Sequence, residues 1–485
     1  MTETISGSPR IIDIISSKSD AHRALICSAL SQISRADGEI SNRDFADRGS
    51  VPEGRATCSD MFSGELAVAK LAMANSQKNR SVEEDAKENM PAEFEAAVIC
   101  NSSSKDIDAT IACLKALLAG ESEMHPGESG STLRFLLPVM GALGHKADFY
   151  GEGRLPERPL SPLYEELIAH GCTISPIGSI PLTIEGQLQP GTFTIAGDVS
   201  SQYISGLLFA LPLLKGDSRI VITGSFESRA YVDMTLKVLR DFGIQIGEEE
   251  SGFFVRGNQN FQTPSSYRVE GDWSNGCFWL AAGALVPGGV SVRGLNPQSL
   301  QGDKAILELL RQFGAEVKVL SGDSESCSTG GAEAEGASDG FDIGETVIRV
   351  SPGELKAIEI DASQIPDMVP ILSVIAAVAE GDTVIKNAGR LRIKESDRLA
   401  AVTEVMNGLG ADIDEKPDGL VIHGVSKLTG GKISSHNDHR IAMMAAIASL
   451  VSENPVVIEG KEAVAKSYPE FFKDMAALGL DGKVE

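Results

Sequence analysis

The chain has 485 residues, 43 of them Lys or Arg against 68 Asp or Glu, for a net charge of −25. That balance excludes non-specific nucleic-acid binding, which rests on basic surface. No apolar run approaches the roughly 20 residues of a membrane span, and the seven cysteines show neither CxxC nor metal-type spacing. Reduced thiols, no metal site and no cofactor are expected. The N-terminus has no continuous apolar leader, so we expect a soluble cytoplasmic protein of two to four domains.

In chain order, Lys18-Ser19-Asp20-Ala21-His22-Arg23 precedes the apolar Ala24–Leu30, and Lys18, Ser19 and Arg23 can all face one anion. Ser34–Phe94 is polar and charged with little apolar periodicity; it reads as a surface insertion with a short helix at 62–74. Gly127-Glu128-Ser129-Gly130-Ser131-Thr132-Leu133-Arg134 opens a helix to Leu143. Its small residues let backbone amides approach a phosphate, and Pro138 should kink or interrupt the helix. No Lys-Ser/Thr follows, so this is not a Walker loop. In Arg154–Pro159, Pro159 fixes a turn and Arg158 can point inward. Ser200-Ser201-Gln202 heads the apolar Tyr203–Leu214, and Ser228 with Tyr231 precedes a helix over Asp233–Phe242. These are neutral donors suited to phosphate and hydroxyl groups.

Helices follow at Ser274–Leu285 and Asp303–Phe313, then a Ser-, Gly- and Ala-rich stretch, Ser321–Gly344. Asp367–Ala379 and Asp438–Leu450 are apolar almost all round and should be buried. The first is entered through a lone acid, Asp367, and the second through Asp438-His439-Arg440; Lys466 precedes Ser467-Tyr468-Pro469. Between them stands Arg390-Leu391-Arg392-Ile393-Lys394-Glu395-Ser396-Asp397-Arg398. If Arg390–Lys394 is extended, its three cations share one face, and Ser396 caps a helix that ends at Gly410. Cations meeting a helix N-terminus make an anion site. Each stretch alone also reads as a helix cap or a solvated charge cluster.

A bulky residue, then Gly, then a β-type segment recurs at Gly171, Gly243, Gly314, Gly410 and Gly479. The spacing is roughly seventy residues once Ser321–Gly344 is set aside as a disordered insertion. Each glycine should be the left-handed residue that ends a helix. The unit suits a small βα module with two helices and several strands.

Jointly, KSxxxR, GxSGSTLR, RxxERP, SSQ, SxxYVDMT, EGDWS, IPD, RIKESDR, NDHR and AKSYP run from Lys18 to Pro469. In that order they resemble the 5-enolpyruvylshikimate-3-phosphate synthase family of enolpyruvyl transferases; only Ser34–Phe94 and Ser321–Gly344 fall outside it. The resemblance implies an α/β (α+β) fold of two lobes, each of three βαβαββ units. One lobe would be 1–17 with 270–485 and the other 18–269, crossing near Ser16–Lys18 and Arg268–Gly271 and closing on ligand.

It further implies that shikimate 3-phosphate is held by Lys18, Ser19, Arg23, Ser200, Ser201, Gln202, Ser228, Tyr231, Asp367 and Lys394. Phosphoenolpyruvate would meet Lys18, Gly130, Arg158, Gln202, Arg398, Arg440 and Lys466. Arg398 and Arg440 would clamp its carboxylate, while Lys18, Arg158 and Lys466 surround its phosphate. Asp367 and Glu395 would move the protons, with Lys18 assisting. No metal is implied, and a monomer is expected. Glyphosate competes with phosphoenolpyruvate in this family, and Gly130 matches the position where some insensitive members carry Ala. Residue 128 is Glu where the family commonly has Asn. Two other readings stand beside this one. The sister transferase acting on UDP-N-acetylglucosamine relies on a loop cysteine with no counterpart motif here. A non-catalytic repeat scaffold would be expected to have lost Lys18, Asp367, Glu395 or Lys466.

Overall fold

The computed structural model describes residues 10–46, 97–320 and 346–485. They divide into two compact units. One holds residues 10–15, Glu270–Arg392 and Ser396–Glu485; the other holds Ser16–Val269 with Ile393–Glu395.

Each unit repeats a βαβαββ module. In the Ser16–Val269 unit, strands Glu123–Gly127 and Ala147–Gly151 pair parallel, and Leu182–Gly186 and Cys172–Ile174 add antiparallel. The same order recurs in Thr192–Ala196, Ser218–Thr223, Gly252–Val255 and Ile246–Glu249. A parallel pair, Ala97–Ile99 with Ser266–Arg268, completes this unit's sheets. In the other unit Ile11–Asp13 pairs parallel with Val290–Arg293, followed by Val347–Ser351 and Glu316–Leu320. Glu359–Asp361, Asp382–Lys386, Gly419–His423 and Asp412–Lys416 repeat that order, and Gly431–Ser434 with Val456–Glu459 forms the remaining parallel pair. The alternating strand periods and helix periods of one module cannot bury both faces alone, so stacked modules share a core.

The helix-ending glycines are left-handed throughout, with φ of 99°, 81°, 106°, 94° and 65° at Gly171, Gly243, Gly314, Gly410 and Gly479. At Gly314 a Cβ would also lie 2.2 Å from the Glu354 carbonyl. The helices that are apolar all round are buried as expected: Val369–Ala377 and His439–Ala448 expose no residue, and Trp273–Leu285 packs Trp279 on Phe471 at 4.7 Å.

Three local expectations are corrected. Pro138 lies inside an unbroken helix, Gly130–Leu143. The carbonyl it cannot reach, that of Arg134, is packed against Gly206 of the Ser201–Ala210 helix, where an added Cβ would sit 2.3 Å from that oxygen and 3.0 Å from Pro138 Cγ. Helix-to-helix packing thus outweighs one lost backbone bond. Next, Arg390–Lys394 is not extended; Gly389–Ile393 is a 3-10 turn. Leu391 N donates to Ala388 O, and Gly389 N donates to Asp418. Finally, Asp397 caps the Arg398–Gly408 helix by accepting from Ala400 N; Ser396 instead donates to Asp438 Oδ2 at 3.0 Å. Helix starts also differ by up to a turn, as at Arg229–Asp241 and Ile306–Phe313. The first helix, Lys18–Ala46, runs past the Ser34 boundary. The rest of the first insertion, the helix expected at 62–74 and the second insertion lie outside the described residues.

Among the described residues no helix is long and apolar enough to cross a membrane, and no group of three His, Cys, Asp or Glu is arranged to hold a metal ion.

Candidate active site

Every sequence-derived candidate but Arg158, Lys394, Glu395 and Lys466 stands at or within a turn or so of a helix start. Unsatisfied amides there favour negative charge. In the Ser16–Val269 unit, Lys18 opens its helix and pairs with Asp106 Oδ2 at 2.9 Å. One turn on, Arg23 is buried. Its Nε donates to Thr235 Oγ1 at 2.8 Å, its Nη1 to Ser19 O at 2.5 Å and its Nη2 to Tyr231 O at 2.8 Å. The Phe135 ring lies beneath at 5.2 Å. Burial lowers the Arg23 pKa to about 10 against the opposing pull of Asp20. Lys18, Ser19, Arg23 and Tyr231 are thereby brought together. Ser228, left-handed at φ 52°, precedes the Tyr231 helix.

Ser200 caps the Ser201–Ala210 helix through Gln202 N. The Gln202 carbonyl oxygen accepts from Arg134 Nη1 at 2.8 Å, and its amide nitrogen donates to Ser131 Oγ at 2.9 Å. This orients the Gln202 amide unambiguously, because the guanidinium can only donate. Arg134 Nη2 also donates to Pro159 O. Burial, then the Arg158 charge, lowers the Arg134 pKa to about 10. A Cβ on Gly130 would lie 2.7 Å from Arg134 Nη1 and 2.9 Å from Arg158 Nη1. Gly130, Arg134, Arg158 and Gln202 therefore form one cationic floor, to which Glu395 Oε1 adds a carboxylate 3.9 Å from Arg158 Nη1. The Glu128 carboxylate lies over Gly153, where a Cβ would meet it at 2.7 Å. Lys394 and Glu395 are half-buried and group with this unit.

In the other unit Asp367 sits in a 3-10 turn ahead of Val369–Ala377. Arg398, 1% exposed, donates Nη1 to Asp367 Oδ1 at 2.8 Å. Its Nε and Nη2 reach Asp438 Oδ2 and Oδ1 at 2.8 and 3.2 Å. Arg440 donates Nη1 to the Asp367 carbonyl at 3.1 Å and Nη2 to Ser274 Oγ at 2.6 Å. Lys466 Nζ donates to Asn437 O at 2.6 Å, a carbonyl presented by two consecutive left-handed residues, His436 and Asn437. Asp367, Arg398 and Arg440 are thus held on one network with Asp438, and Lys466 is held on the carbonyl of Asn437, the residue before Asp438. Deeper in the network is Asp303, whose pKa is pushed up to about 6 by burial, with Arg440 opposing and Asp367 adding.

Sequence reasoning did not single out Asp106, Arg134, Asp303 or Asp438 as site residues. Arg134 and Asp438 stand inside motifs already noted, and a charged residue opening an apolar helix was the available signal for both. Asp303, first residue of the helix expected over Asp303–Phe313, carried the same signal, and nothing local marks Asp106.

The sequence pattern of the EPSP synthase (3-phosphoshikimate 1-carboxyvinyltransferase) family matches residues 93–475. The 3-phosphoshikimate 1-carboxyvinyltransferase of Clostridium kluyveri is 39% identical over 470 residues, 96% of this chain and 94% of that protein. The enzyme of the same name from Clostridium acetobutylicum is 40% identical over 476 residues, 97% and 95% of the two chains. The solved EPSP synthase of Acinetobacter baumannii superposes with a TM-score of 0.57 at 27% identity, covering 74% of this chain and 79% of that one. The chain belongs to the EPSP synthase (3-phosphoshikimate 1-carboxyvinyltransferase) family.

Proposed function

We propose that the protein transfers the 1-carboxyvinyl group of phosphoenolpyruvate to the 5-hydroxyl of shikimate 3-phosphate, releasing phosphate. The observation that carries this reading is family membership; Lys18, Arg158, Asp367, Glu395, Arg398, Arg440 and Lys466 stand in the sequence motifs whose resemblance to the family implies their roles. Shikimate 3-phosphate meets Lys18, Ser19, Arg23, Gln202, Tyr231, Asp367 and Lys394, with its carboxylate on Arg23 and its phosphate on Ser200, Ser201 and Ser228. Arg398 and Arg440 take the carboxylate of phosphoenolpyruvate, and Lys18, Arg158 and Lys466 its phosphate, near Gly130 and Gln202. A carboxyl group protonates the methylene carbon while the ring hydroxyl gives up its proton and attacks the adjacent cationic carbon. The tetrahedral adduct then expels phosphate and loses one methyl proton, restoring the double bond. Asp367 serves the hydroxyl and Glu395 the methylene carbon, with Lys18 assisting. Both carboxylates stand among cations, which hold anionic substrates and stabilise charge as it shifts.

The lobes proposed are 1–17 with 270–485 and 18–269. A cytoplasmic location fits the free, buried Cys27, Cys100, Cys113, Cys172 and Cys277; the proposed monomer is tested by sedimentation. The test of function is phosphate release from phosphoenolpyruvate plus shikimate 3-phosphate. Lys18→Met and Lys466→Met should each lower turnover at least about a hundredfold with unchanged circular dichroism. A folded variant turning over like wild type removes that lysine from the mechanism.

A further inference from the structure

One buried polar chain takes no part in the chemistry above. It starts at His22, on the helix that carries Lys18 and Arg23, and ends at Ser129, next to Gly130. His22 Nδ1 lies 2.7 Å from Thr110 Oγ1. Thr110 Oγ1 lies 2.6 Å from Thr132 Oγ1, and Thr132 Oγ1 donates to Ser129 Oγ at 2.7 Å. His22, Thr110, Thr132 and Ser129 are each at most 1% exposed.

The direction of the chain follows from proton counting. A hydroxyl has one proton to give. Thr132 spends its own on Ser129, so at 2.6 Å it accepts from Thr110. The Asp106 carbonyl, 3.2 Å from Thr110 Oγ1, is the longer alternative for that proton. With its proton spent, Thr110 can only accept from His22, so Nδ1 carries the hydrogen. At the far end Ser129 Oγ accepts from both Thr132 N at 3.2 Å and Thr132 Oγ1. Both its lone pairs are used, and its own hydroxyl is left as a donor. Burial and the charges of Lys18 and Arg23 keep His22 neutral, well below its usual pKa.

We propose that His22, as its Nδ1–H tautomer, is a positioning residue that orders Thr110, Thr132 and Ser129. It thereby fixes the head of the Gly130–Leu143 helix, with the Ser129 hydroxyl set as a donor, for phosphoenolpyruvate. The identity of the ligand rests on the proposed function; the tautomer does not. Nitrogen-15 shifts of the full-length, histidine-labelled protein read the tautomer, with His22 assigned by its loss in His22→Gln. A protonated Nδ1 and unprotonated Nε2 are expected, and the opposite tautomer overturns the proposal. Thr110→Val removes the hydroxyl at nearly constant volume. It should raise KM for phosphoenolpyruvate about tenfold, with kcat and KM for shikimate 3-phosphate moving less than about twofold. Thr110→Ser should restore the wild-type value. Equal changes in both KM values, or none, overturn the positioning role even with the expected tautomer. A wild type that turns over neither substrate defeats the proposed function instead, and the tautomer still decides the chain.

Discussion

Two residues carry consequences the mechanism alone does not. Gly130 faces the guanidinium ends of Arg134 and Arg158, not open space. A methyl there must push both, and Arg134 is tethered to Gln202 and Pro159. Gly130→Ala should therefore narrow the anion floor and weaken glyphosate, longer than phosphoenolpyruvate, by about ten- to a hundredfold, or about 1–3 kcal/mol. Inhibition and Michaelis constants measured side by side check this, and equal losses for both ligands would refute it. Asp303 gives a pH prediction. Its folded-state pKa is raised from 3.8 to about 6, so between those values the native state binds more protons than the unfolded chain. Stability then falls as pH rises through that window and levels off above it, at a total cost of about 3 kcal/mol. Asp303→Asn, which stands in for the neutral acid, should melt a few degrees above wild type at pH 7.5. The gap should close toward pH 4. A constant gap across that range would mean the carboxylate is not what titrates.

At the scale of elements, the same close approach that lets the Gly130–Leu143 helix run through Pro138 places Arg134 and Gln202 in reach of each other. Gly206→Ala would put a Cβ 2.3 Å from the Arg134 carbonyl. A backbone oxygen cannot rotate away as a side chain does, so the two helices must separate. We expect a loss of about 1–3 kcal/mol in denaturant unfolding together with reduced turnover. An unchanged midpoint would show that the helices part without cost. This pair also marks the limit of what the sequence discloses. Helix ends at Gly171, Gly243, Gly314, Gly410 and Gly479 were legible because a left-handed stop is local chemistry. So were the candidate cations Lys18, Arg23, Arg398 and Arg440, each in the first turns of a helix. The partners that hold them were not: Gln202 is 68 residues from Arg134, and Asp438 is 40 from Arg398. Only tertiary register brings these together. The alternating Arg and Lys of 390–394 imitate a strand, yet a capping carboxylate at Asp418 and the Lys416 and Pro417 carbonyls, which accept from Arg392, wind it into a turn. No pattern within nine residues carries that information.

For the molecule as a whole, modular construction decides what can be removed. Each βαβαββ module closes on its own hydrogen-bonded sheet, so an insertion at a hairpin leaves the ladder beside it complete. Residues 321–346 connect two neighbouring antiparallel strands, Glu316–Leu320 and Val347–Ser351, whose ends face each other as Leu320 opposite Val347. The connection therefore spans only the width of one strand pair. Within Ser321–Gly344 the large apolar side chains are Phe341 and Ile343, so deleting the segment removes little apolar surface. A shorter loop also costs less to close. Replacing Ser321–Gly344 by Asn-Gly, ahead of the retained Glu345 and Thr346, supplies a hairpin turn. It also keeps the bond from Gly294 N to Thr346 O at 3.1 Å. The shortened protein should melt within a few degrees of wild type, in one equally cooperative transition, and turn over its substrates at an unchanged rate. Calorimetry and the phosphate-release assay measure both. A broadened transition would show that the segment is part of the fold, and a normal melt with lost turnover would assign it to the catalytic cycle.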